Sequence, residues 1–159
     1  MNKKEWLDNL FYKIGKQQHD FLVCGLKKDK EGNTKSTKWR KYSEVCFPID
    51  PWEDYKIPWI NQRQILPIEI VIDLETTEGI KEKINKLKEW NVEFFLFATQ
   101  SKGYHIHLFF KQTFKPEEKS AVIKFFGGDL QKDANKTMIA LEHTPHWKSG
   151  KIKQEVFLE

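Results

Sequence analysis

Between Ile68 and Glu75 the chain alternates two kinds of residue. Ile68, Ile70, Ile72 and Leu74 fall on one parity, and Glu69, Val71, Asp73 and Glu75 on the other. A period of two describes a strand with one apolar face. It also fixes the register, because a slip of one residue would turn the whole apolar set toward water. Asp73 and Glu75 then project from the same face. Two anions that close repel each other unless a cation stands between them, and an oxygen-only donor set suits a hard ion such as Mg²⁺ or Mn²⁺. The plain alternative is an exposed strand edge with solvated acids.

The remaining elements follow from the same kind of pattern. Lys4 to Ile14 has helical spacing, with Trp6, Leu7, Leu10, Phe11 and Ile14 on one side and Gly15 at its end. Phe21 to Leu26 reads as a strand, and residues 27–64 carry no firm assignment. After residue 65 the spacing predicts a strand over Ile68–Leu74, a helix through Ile80, Ile84, Leu87 and Trp90, and a strand over Val92–Ala98. A turn at Gln100–Gly103 and a strand over Tyr104–Phe110 follow. Pro116 opens a helix over Glu117–Phe126 that Gly127 and Gly128 stop, and Thr137–Glu142 and Lys153–Leu158 read as strands. The order β-α-β-β-α-β is the split βαβ, RRM-like arrangement of an α+β fold. In that topology the first and third strands are neighbours at the centre of the sheet, which sets Asp73 and Glu75 beside the strand of His105 and His107.

At 159 residues the expectation is one domain, with residues 1–64 as a basic N-terminal part and 65–159 as the catalytic part. The start of the chain has no apolar run after its lysines, so no signal peptide is expected. No stretch approaches a membrane span, and Cys24 and Cys46 suggest neither a cysteine zinc site nor a disulfide framework. The expected compartment is the cytoplasm. Residues 27–41 hold seven basic and two acidic residues. Among them Lys38, Trp39, Arg40 and Lys41 combine phosphate-neutralising charge with an aromatic that can stack on a base. Gly32, Asn33, Ser36 and Thr37 also fit a solvated loop.

Two turns suit phosphate. Ser101, Lys102 and the backbone at Gly103 can donate hydrogen bonds to a phosphate oxygen, and His105 follows two residues later. His146, Lys148 and Lys151 surround a second turn at Ser149-Gly150. Asp129, after Gly127-Gly128, adds a third acid.

The order D-x-E on a strand, S-x-G-x-H opening another, then an acid and a P-H-x-K-S-G turn resembles the catalytic core of the archaeo-eukaryotic primases and primase-polymerases. The resemblance covers about residues 65–155. It implies template-directed nucleotidyl transfer with divalent metals, from NTP or dNTP on a single-stranded DNA template, on an RRM-like sheet. It implies that Asp73 and Glu75 are the first metal ligands and that Ser101 and His105 contact nucleotide phosphates. His146 and Lys148 match the family's late nucleotide contacts. Asp129 would be the third carboxylate, with Asp133 and Glu142 as substitutes. Ala140 and Glu142 stand where the family often has a basic residue. Neither a zinc-binding insertion, a helical priming domain nor a fused helicase is seen, which suggests a minimal core, a subunit served by a helicase or large-subunit-like partner, or a degenerate binding protein.

Two other classes compete. Tyr104-His105-Ile106-His107 matches the His-hydrophobic-His of rolling-circle nicking enzymes, but their tyrosine nucleophile follows the histidines and no tyrosine follows residue 104 here. A non-catalytic RRM-like module would stack bases on sheet aromatics, although acids on that face would repel phosphate in the absence of metal.

Overall fold

A computed structural model describes residues 1–15, 20–46, 59–99, 103–130 and 137–158. The elements in chain order are α1 (Lys3–Gly15), β1 (Leu22–Cys24), β2 (Leu26–Lys28), β3 (Thr34–Ser36), β4 (Arg40–Lys41), α2 (Tyr42–Cys46) and β5 (Gln62–Gln64). They continue as β6 (Glu69–Leu74), α3 (Ile80–Glu89), β7 (Glu93–Ala98), β8 (Tyr104–Phe109), α4 (Pro116–Phe125), β9 (Met138–Ala140) and β10 (Gln154–Glu155). The fold is mixed α+β with antiparallel sheet pairing. Among the described residues no helix is long and apolar enough to cross a membrane. The chain divides into two compact units, 1–64 with 138–153 and 65–137 with 154–159. The segment 138–153 thus belongs with the N-terminal part, where the sequence pattern had placed it in the catalytic part.

In the first unit α1 is amphipathic as expected: Trp6, Leu7, Leu10 and Ile14 are buried. Its sheet has the order β4-β1-β5-β9, and β2 and β3 form a separate hairpin. The tip of that hairpin is organised by Asp29, whose Oδ1 accepts from the backbone N–H groups of Glu31 (3.0 Å) and Asn33 (2.9 Å). The basic segment is therefore largely hairpin and strand. Tyr42 stacks on Phe21 at 5.2 Å between ring centres and donates its hydroxyl to Asp8 at 2.6 Å. Burial and that carboxylate push its phenol well above the ordinary value.

Glu142 is the electrostatic centre of this unit. Its side chain and that of Arg63 are both fully buried, with Arg63 Nη2 2.7 Å from Glu142 Oε1. Arg63 Nε and Trp6 Nε1 donate to the same carboxylate at 3.0 and 2.8 Å, and Lys153 Nζ lies 3.5 Å away. The carboxylate thus serves three partners inside unit 1.

In the second unit the sheet order is β10-β7-β8-β6. Strands β6 and β7 each pair antiparallel with β8 between them, so they run parallel to each other. Ile70, Ile72 and Leu74 of β6 pack with Leu96, Ile106 and Leu108 against Ile80, Ile84 and Leu87 of α3 and Ile123 of α4. The expected strand order, with the first and third strands at the centre of the sheet, is not reproduced. The strand anticipated over Thr137–Glu142 is β9, which pairs with β5 of the first unit, Arg63 opposite Ile139. The place beside β7 is taken by β10, and β6 stands at the end of the sheet rather than its centre. The buried Arg63–Glu142 pair gives the physical reason, since β5 carries the guanidinium that the enclosed Glu142 carboxylate bonds.

Breaking a buried pair by neutralising one partner costs about 3–5 kcal/mol, because the other charge stays desolvated. Glu142→Gln, which strands Arg63 and Lys153 together, is expected to lower unfolding free energy by about that much in urea denaturation. Lys4→Ala, which removes the exposed Lys4–Asp8 pair at 2.7 Å, should change it by less than about 1 kcal/mol.

Candidate active site

Register decides what faces what at the end of β6. Asp73 lies opposite His105, Val71 opposite His107 and Leu74 opposite Tyr104. On that face the His105 Nε2 atom is 3.3 Å from Asp73 Oδ1. Two residues deeper, His107 Nδ1 is 2.7 Å from Glu69 Oε2, and both of those side chains are fully buried. Glu69 also accepts the backbone N–H of Leu66 at 3.0 Å. The sheet thus carries two stacked acid–imidazole pairs, a half-open one and a sealed one, with ring centres of the two histidines 5.9 Å apart.

Two glycines let neighbouring chain close around the end of β6. A Cβ at Gly103 would collide with the Leu74 carbonyl and the backbone of Glu75, so only glycine lets the start of β8 pass there. A Cβ at Gly128 would sit 3.0 Å from Ile72 Cγ2 and 3.4 Å from the Asp73 nitrogen. The next residue, Asp129, donates its backbone N–H to the Asp73 carbonyl at 3.1 Å. The Gly127-Gly128 stop after α4 therefore does more than end a helix: it lays Asp129 alongside Asp73.

Asp73, Glu75 and Asp129 line one cavity of about 570 Å³, together with Thr76, Glu78 and Lys83. Three of the expected carboxylates are brought together there. Glu142 is not; it is sealed among Arg63, Trp6 and Lys153 in the first unit. Ser101, Lys102 and Asp133 lie outside the described residues. His105 is 12% exposed and turns Nε2 toward Asp73, so a phosphate reaching that nitrogen shares it with the carboxylate. Lys83, one turn into α3, is a cation that motif reading passed over. Its signal was there: a lysine at the third position after the Gly79-Ile80 helix start.

The donor set fits a hard divalent ion, since every cavity carboxylate offers oxygen alone. Among the described residues no three His, Cys, Asp or Glu side chains are already gathered tightly enough to hold one. The geometry disfavours the nicking reading: His107 is fully buried against Glu69, whereas that chemistry needs both imidazoles on an accessible metal. It disfavours an aromatic base-stacking sheet as well, because Phe97 and Phe109, on the face of His107, are buried.

In the first unit, residues 145–152 form a hairpin closed by the Pro145–Ile152 bridge. Lys148 donates its backbone N–H to His146 Nδ1 at 3.0 Å, which places the proton of the neutral ring on Nε2. His146 stacks on Trp147 at 5.6 Å, and Lys148 Nζ lies 4.9 Å from the centre of the same indole. Upstream, Lys41 and Arg40 pair with Leu22 and Val23 of β1, and Trp39 is half exposed beside them.

Compared with protein-family models, with curated proteins and with solved structures, the chain matches none.

Burial, and after it the Lys148 ammonium, lowers the pKa of His146 below its ordinary value. The unfolded chain then binds the extra proton first. Stability should rise with pH between the folded-state pKa and the ordinary value of about 6.5 and stay flat above it. Lys148→Ala should move the His146 pKa part of the way back up, read from the imidazole proton shifts in an NMR titration. An unchanged titration would remove Lys148 as a cause.

Proposed function

We propose that this chain is a template-directed nucleotidyltransferase of the archaeo-eukaryotic primase type, adding NTP or dNTP to a primer on single-stranded DNA at the Asp73–Glu75–Asp129 cavity. The observation that carries the reading is the convergence of these three acids, from a strand end and a Gly-Gly turn far apart in sequence, on one open cavity with a lysine on its wall. The RRM-like interpretation of the sheet rests on β6, α3, β7 and β8, in which parallel strands flank an antiparallel one.

Asp73, Glu75 and Asp129 are the residues that would hold Mg²⁺ or Mn²⁺, which when bound orients a triphosphate and polarises the attacking hydroxyl. The protein's own groups do the rest. His105 braces the Asp73 carboxylate through Nε2, 3.3 Å from Oδ1. Lys83 offsets part of the charge of the four lining carboxylates, Glu78 included, and of a triphosphate. In the hairpin of the first unit, His146 offers a neutral N–H donor and Lys148 an ammonium, a pair suited to phosphate oxygens. Lys38, Trp39, Arg40 and Lys41 supply the template contact of this reading, backbone charge plus one stacking ring. A helicase or large-subunit-like partner would deliver that template.

The direct test is incorporation of labelled NTP and dNTP on primed and unprimed single-stranded DNA with Mg²⁺ or Mn²⁺. Asp73→Asn combined with Glu75→Gln should cut incorporation by at least 100-fold and weaken Mn²⁺ binding seen by paramagnetic resonance. The thermal melt should hold, since both side chains face the cavity. Full activity in that double variant sinks the assignment. Replacing Lys38, Arg40 and Lys41 together with alanine should weaken single-strand binding and reduce the slope of log K against log salt by about 2, at about 0.7 per phosphate contact.

A further inference from the structure

A second cavity lies wholly within the first unit and has a different chemistry. It measures about 270 Å³ and is lined by Val23, Cys24, Val45 and Ile60, with Trp59, Lys38 and Arg40 among its other walls. The first four are almost completely buried, at 2–5% exposure, whereas Trp59 is 65% exposed. The cavity therefore has an apolar floor and an aromatic and cationic mouth. Its shape is held by local hydrogen bonds. Gly25 N–H donates to Thr37 Oγ1 and Thr37 N–H to the Gly25 carbonyl, both at 2.8 Å. The Asn61 side chain bonds the Leu26 backbone in both directions, accepting its N–H at 2.7 Å and donating to its carbonyl at 2.8 Å. Those bonds fix the strand before the cavity to the segments carrying Lys38 and Trp59.

The occupant is selected by size and charge. Sites that enclose a drug-sized molecule run to about 300–1,000 Å³, so this one suits a single flat ring rather than a whole nucleotide. An apolar floor accepts the faces and edges of a ring but offers no partner for a phosphate. Two cations at the mouth do, and they belong to the most basic stretch of the chain, residues 27–41. Trp59 adds an indole face against which a ring can stack.

We propose that this cavity receives one unstacked base of a single-stranded nucleic acid, with Trp59 against the ring and Lys38 and Arg40 on the adjoining phosphates. The base would anchor the strand at a fixed register while the cations supply affinity that is blind to sequence. This anchoring requires only single-strand binding. It stands whether or not the Asp73 cavity performs nucleotidyl transfer.

The experiment compares two labelled eight-residue probes of equal charge, an oligothymidylate and a strand of abasic deoxyribose phosphates, by fluorescence anisotropy on the full chain. The wild type should prefer the oligothymidylate by tenfold or more, in line with about 1–3 kcal/mol for a stacked base. Trp59→Ala removes a largely exposed ring and should lower that preference several-fold, more than Trp39→Ala does, while leaving affinity for the abasic strand and the salt slope unchanged. Lys38→Ala with Arg40→Ala should weaken both probes alike and lower the salt slope. Val45→Phe, which fills the floor, should mimic Trp59→Ala. Equal binding of the two probes by the wild type would overturn the proposal. So would a base preference that survives Trp59→Ala but disappears in Trp39→Ala, since stacking would then occur on the surface. Loss of nucleotide incorporation in Asp73→Asn with base preference intact would separate this site from the catalytic one.

Discussion

Six consecutive residue pairs join β6 to β8, from Glu69 opposite Phe109 to Leu74 opposite Tyr104, and the candidate site hangs on that ladder. One parity of β6 feeds the helix-covered core through Ile70, Ile72 and Leu74. The other parity brings Glu69 and Asp73 beside His107 and His105. A slip of one residue would turn Asp73 into the apolar core and Ile70, Ile72 and Leu74 out of it, so the apolar face and the acid–imidazole face enforce each other. The ladder ends where Gly103 lets β8 start against the Leu74–Glu75 backbone. Asp73 thus sits on the strand itself and Glu75 directly after its end.

Acids are treated in two opposite ways in this protein, and burial is the variable. Glu69 and Glu142 are fully enclosed, and each is surrounded by donors: His107 and the Leu66 N–H for the first, Arg63, Trp6 and Lys153 for the second. An enclosed carboxylate without such donors would cost several kcal/mol. Asp73, Glu75 and Asp129 instead share a water-accessible cavity in which Lys83 is a cation of the opposite sign. Solvent lowers the cost of their proximity, and that arrangement leaves carboxylate oxygens accessible for a ligand of opposite charge.

Much of the candidate site was legible in the sequence because it sits on strongly periodic elements. The strand carrying Asp73, the strand carrying His105 and the Gly127-Gly128 stop before Asp129 all lie within a residue or two of where spacing placed them. Glu142 misled for a specific reason: an acid after a short apolar strand looks the same in sequence whether it faces water or an arginine 79 positions away. Arg63 carried no local sign of burial, since it is flanked by Gln62 and Gln64. The hairpin over residues 26–36 escaped notice because its strands are polar, and its organising feature is the side chain of Asp29 rather than an apolar alternation.

The sequence by itself determined the local elements after residue 65 and the shared parity of Asp73 with Glu69, because a strand's period of two is a backbone property. It also settled that acids, imidazoles and basic turns exist in the order they do. Only the tertiary structure decided which of them meet. It sent β9 to β5 and β10 to β7, because pairing between strands depends on which buried charge finds its partner and which edge remains open. It enclosed Glu142 and His107, and gathered Asp73, Glu75, Asp129 and Lys83 around one cavity. Contacts between residues dozens of positions apart are set by packing and desolvation, which no local window of sequence contains.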